Sequence, residues 1–121
     1  MFQSVNFCGA SGQSYKFQRV KAENSAWTED AGVVIFAASD GMSWRVIRVA
    51  DQVGRAEDLN AIWRWREAQR YGATAIFVRA MKSASVRAAE AGDLVAGLNP
   101  VCLSPSEGVF LDADDDLPLA A

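Results

Sequence analysis

The chain has 121 residues, 50% of them hydrophobic and 22% charged, which is enough for one compact domain that needs no metal or disulfide staple to fold. Six Phe, four Trp and two Tyr supply the apolar area that excludes general disorder and low-complexity classes. Histidine is absent, which removes the commonest zinc ligand, the commonest general base and any Ser-His-Asp or Cys-His catalytic unit.

The net charge of −3 conceals an asymmetry. Residues 106–121 hold Glu107, Asp112, Asp114, Asp115 and Asp116 with no lysine or arginine, a local charge of −5 that leaves +2 on residues 1–105. The expected division is therefore a folded domain over 1–105 and an acidic, mobile tail over 106–121. A charge of +2 is a weak field, so strong non-specific nucleic-acid binding is not expected. Cys8 and Cys102 are too few for a disulfide framework and read as small buried hydrophobes in a reduced compartment. The first residues lack the features of a secretory signal, and the longest apolar run, over 31–38, is far below the roughly 20 residues of a membrane span. A cytoplasmic protein with no membrane contact is expected.

In chain order, GASGQS at 9–14 is a turn signal, and Tyr15, Phe17 and Arg19 alternate with Lys16, Gln18 and Val20 as in a short strand. Residues 22–31 read as a polar loop with Trp27 folded onto the core. Residues 32–38 (GVVIFAA) form a buried strand, Asp40-Gly41 supplies a turn, and residues 44–49 alternate on its far side, giving an antiparallel hairpin. Leu59, Ile62, Trp63 and Arg66 fall at helical spacing, which predicts a helix over about 54–71 closed by Gly72. Residues 75–78 (AIFV) are a further strand. Ser83 or Ser85 caps a second helix to about Gly97, weakened by Gly92. The order β-β-β-α-β-α predicts an α/β (α+β) domain, with a small, mainly antiparallel sheet of three to four strands and two or three helices packed on it.

The segments NFCGASGQSYKF, AGVVIF, WRVIRVADQVGRAEDL, WRWREAQRYGATAIFV and AAEAGDLVAGLNPVC follow one another with the order and spacing of small bacterial GIY-YIG-like nuclease-fold proteins. The resemblance spans about residues 5–103 and implies a nuclease-type fold. In that family a tyrosine closes the first motif, here Gly32-Val33-Val34, and another opens the second, here Arg48-Val49-Ala50. An arginine eight residues on falls at Asp58. A histidine pair falls within Ile62-Trp63-Arg64-Trp65, and the metal-binding glutamate falls at Ala91, beside Glu90.

Carried over residue by residue, the resemblance implies lost chemistry. Val34 has no phenol, Arg48 is a cation that cannot act as a base, Asp58 inverts the charge beside a phosphate, and Ala91 holds no ion. Glu90 is one position off, a rotation of about 100° on a helix. No catalytic residue, metal or cofactor is therefore expected. The expected function is non-catalytic binding, with a protein partner or homo-oligomer first, nucleic acid held without cleavage second, and a metal-dependent endonuclease with a rearranged site third. The expected surface is the former catalytic face bordered by Arg48, Arg55, Asp58 and Glu90, together with Arg64, Trp65 and Arg66, where basic side chains flank an indole. Trp27, Trp44 and Trp63 read as core or rim residues.

Overall fold

The computed structural model describes residues 3–56 and 58–102, so the acidic stretch over 106–121 lies outside the described residues. Five strands form one antiparallel sheet: β1 (Ser4–Cys8), β2 (Ser14–Val20), β3 (Gly32–Ser39), β4 (Trp44–Gln52) and β5 (Ala75–Ala80), in the spatial order β1-β2-β5-β3-β4. Two helices complete the fold, α1 (Leu59–Arg70) and α2 (Ala84–Leu98), with a short 3-10 turn at Ser25–Thr28. β5 is inserted between the β1–β2 and β3–β4 hairpins, so a strand late in the sequence joins two early, locally formed units.

The helices cover opposite faces of the sheet. Under α2 lie Phe7, Tyr15, Phe17, Val33, Ile35, Ala37, Val46 and Phe77, packed with Ala91 and Leu94. Under α1 lie Val34, Phe36, Ala38, Ile47, Ala50 and Ile76, packed with Ala61, Trp65, Ala68 and Trp27. Side chains alternate across a strand, and both faces of β3 are covered, which explains why every residue from Gly32 to Ala38 is buried. Phe7 packs edge-on against Phe17 and Phe77 on one face, and Trp27 against Phe36 on the other.

The element ends follow local chemistry. Asp40 accepts hydrogen bonds from the N–H groups of Met42 and Ser43 and closes the β3–β4 turn. Asp58 caps α1 by accepting from Asn60 N–H, and Ser83 caps α2 by accepting from Val86 N–H. At the end of α1, Gly72 adopts φ 101° while the N–H groups of Gly72 and Ala73 donate to the carbonyls of Gln69 and Ala68, a Schellman closure.

Several expectations are corrected. The sheet has five strands rather than three to four, because β1 carries only Val5 and Phe7 as inward apolar residues and owes its conformation to pairing with β2. α1 starts at Leu59 and not near 54, since Gly54 holds φ 91° and Asp58 stops the helix with extended angles. The face of α1 is also rotated. Ala61, Trp65 and Ala68 are buried, whereas Leu59 is 71% and Trp63 61% exposed. Trp63, read as a core or rim residue, is mostly exposed, and Trp65, read as part of the binding surface, is in the core. Cys8 is exposed and Cys102 half-buried.

Candidate interaction surface

The residues singled out from the sequence do not share one face. Val34 is fully buried in the α1-side core. Arg48 is 4% exposed and faces α1 because of a bulge in β4. Phe36 pairs with Arg48 and Ala37 with Val46, so Ile47 is an additional residue and both Ile47 and Arg48 point to the α1 side. There the Arg48 guanidinium donates to Glu67 of α1. Its Nε is buried with no acceptor among the described residues. Cys102 adjoins this pair, and burial raises its thiol pKa above the ordinary value, with Arg48 opposing and Glu67 adding to that shift.

Glu90 and Ala91 lie on the other side of the sheet. Glu90, on the buried face of α2, accepts two hydrogen bonds from Arg79 of β5, at 2.9 and 3.2 Å, a bidentate pair that raises the Arg79 pKa. Ala91 packs in the α2-side core. Arg48 and Glu90 are thus separated by the sheet. Of the remaining positions, Asp58 is occupied as the α1 cap, and Arg55 is exposed on the loop before it, its backbone N–H donating to Thr28. Arg64 is half-buried. Trp65 packs against Phe36 with ring centroids 5.3 Å apart, and Arg66 is exposed.

A second polar cluster joins the 9–14 turn to α2. Asp93 accepts hydrogen bonds from Ser11 N–H at 2.8 Å, Ser11 Oγ at 2.7 Å and the Tyr15 hydroxyl at 2.8 Å, and these donors hold its pKa below the ordinary carboxylate value. The same bond to Asp93, then burial, raises the Tyr15 phenol, which therefore acts as a donor and not a base near neutral pH. Ser11, Gln13, Tyr15, Ser85, Glu90 and Asp93 line a shallow open groove of about 470 Å³, whose two carboxylates are already engaged. Among the described residues no group of three or more His, Cys, Asp or Glu side chains is placed to hold a metal ion, and no helix is long and apolar enough to cross a membrane.

Among the described residues, the outer stripe of α1 is a surface that the fold leaves uncovered. Leu59, Trp63, Arg66 and Arg70 point away from the core, nearly opposite Ala61, Trp65 and Ala68 on a 100° helical wheel, and all four are exposed. Neither Arg66 nor Arg70 forms an ion pair among the described residues. Arg66 alone of these four was anticipated as a binding residue. The available signal was the Ala61-Trp65-Ala68 phase, which competes with the more hydrophobic Leu59-Ile62-Trp63 phase and buries less side chain per position. Compared with protein-family models, curated proteins and solved structures, the chain matches none.

Proposed function

We propose that this chain is a binding module on a GIY-YIG-like frame stripped of hydrolytic chemistry, and that it engages protein through the outer face of α1. The observation that carries the binding surface is the outward placement of Leu59 and Trp63 beside Arg66 and Arg70. Exposed Trp and Arg are the residue types that dominate protein contacts, and an apolar stripe on a surface helix has no reason to face water in the isolated domain. In support of the loss of chemistry, Val34 and Ala91 stand at two family positions, and the nearest carboxylate and guanidinium, Glu90 and Arg48, lie on opposite faces of the sheet, each held by a partner within the fold.

A photo-crosslinkable residue placed at position 63 tests the surface in cells. The expected result is a protein adduct of defined mass that Leu59→Ser removes and that the same residue at Lys82, on the β5–α2 connection, does not give. Equal adducts from both positions, or none from 63, overturn the proposal. The same exposed indole between cations also favours a second reading, nucleic acid bound without cleavage. Anisotropy with a labelled mixed-sequence oligonucleotide separates the two, because phosphate contacts make affinity fall steeply with salt.

A further inference from the structure

The outer stripe of α1 is polarised along its axis, with Leu59 and Trp63 forming an apolar N-terminal half and Arg66 and Arg70 a cationic C-terminal half. The same pattern with opposite charge occurs once more in the chain. Val109, Phe110 and Leu111 are followed by Asp112, Asp114, Asp115 and Asp116. The segment is long enough to cover the stripe: Leu59 to Arg70 spans about 16 Å at the helical rise, and residues 109–116 can reach up to about 24 Å.

The chain also reaches this surface. Cys102, the last described residue, donates from its N–H to Ile47 O at 2.7 Å on the edge of β4, and its side chain packs on the α1-side core. Through Arg48 that spot is linked to Glu67, on the second half of α1. Cys102 to Val109 can extend about 24 Å, whereas Glu67 lies only about 12 Å along the helix from Leu59. An intramolecular match on a tether of this length acts at an effective concentration on the order of millimolar, which makes modest complementarity sufficient.

From these observations we infer that residues 109–116 dock in cis on the outer stripe of α1, with the apolar residues 109–111 against Leu59 and Trp63 and the aspartates against Arg66 and Arg70. This inference rests on the reading of α1 as a binding surface, and it names a competitor built into the chain: a protein partner must displace this segment, and salt or a cationic ligand assists it.

Trp63 provides the readout, because Trp27 and Trp65 are buried and Trp44 is half-buried, so neutral quenchers sample Trp63 most strongly. Acrylamide quenching is compared in the full chain and in its Asp112→Asn/Asp114→Asn/Asp115→Asn/Asp116→Asn variant. The expected result is quenching about twofold weaker in the parent at low salt, independent of protein concentration, with the difference gone near 0.5 M salt where charges are screened. Arg66→Gln/Arg70→Gln in the parent should raise quenching to the variant level, and a peptide of residues 106–121 added to the aspartate variant should lower it. Equal quenching at every salt overturns the inference, as does a difference that grows with concentration, which would place the segment on another copy. Crosslinking at position 63 fails or succeeds separately: adducts with unprotected Trp63 retain the binding surface without this occupant, and protection without adducts does the reverse.

Discussion

The hydroxyl of Tyr15 donates to Asp93 Oδ2 over 2.8 Å, joining β2 to α2 across 78 positions of sequence. Ser11 donates to the same carboxylate from both its backbone and its side chain, and Ala10 N–H donates to the Asp93 carbonyl at 3.0 Å. The glycine- and serine-containing turn that reads as an ordinary loop is therefore the clamp that seats the β1–β2 hairpin on α2.

This clamp predicts a pH dependence at both ends. The Asp93 carboxylate is lowered from its ordinary value of 3.8, so its contribution to stability is complete above that value and is lost as pH falls through the lower folded one. The Tyr15 phenol is raised from 10.0, so its contribution is complete below that value and is lost as pH rises through the higher folded one. Thermal unfolding followed from pH 2 upward should show an acid limb that Asp93→Asn flattens. An unchanged limb in that variant would remove Asp93 from the account.

Two glycines on α2 should respond in opposite directions. A Cβ at Gly97 would press on the backbone of Gly9 and Ala10, so Gly97→Ala should destabilise by about 1–3 kcal/mol. Gly92 is exposed with open space beside it, and Gly92→Ala should stabilise the helix by about 0.5–1 kcal/mol. Urea midpoints measured side by side check both signs.

The Arg48–Glu67 pair should be asymmetric to mutation. Glu67→Gln leaves a buried cation with a weaker acceptor and should cost about 1–2 kcal/mol, a figure held down because Glu67 is half in water. Arg48→Met removes the charge and its unpartnered Nε together and should be closer to neutral. Denaturant unfolding of both variants gives the comparison, and a costlier Arg48→Met would reverse the assignment.

The rotation of α1 is tested by its two tryptophans. Trp65→Ala should cost about 3–5 kcal/mol through the cavity it leaves against Phe36, whereas Trp63→Ser should stay within about 0.5 kcal/mol. Equal losses would mean that Trp63 is packed in the folded domain.

Purified chain with magnesium or manganese should leave supercoiled plasmid intact. Glu90→Ala should lower stability, since Arg79 loses its bidentate acceptor, without changing that result. Nicking that copurifies with the chain and disappears in Glu90→Ala would restore a hydrolytic site.

Much of the secondary structure was legible because its signals are local. The unbroken apolar run of β3, the Asp40-Gly41 turn, the Ser83 cap and the Gly72 closure each depend on residues within a few positions. Three features were decided only by the tertiary structure. β1 forms through its pairing with β2, and β4 bulges at Ile47 so that Arg48 meets Glu67. α1 turns Leu59 and Trp63 outward and Trp65 inward because the sheet beneath it already presents Phe36, Ile47 and Ile76, leaving a gap that two alanines and one indole fill. Hydrophobic periodicity fixes that a helix has a face to bury, but which face is chosen depends on the shape it meets, and that shape is built from strands distant in the sequence. The same reason separated Arg48 from Glu90: their strand and helix are assigned locally, whereas the side of the sheet each one faces is set by a bulge and by the crossing of the chain between layers.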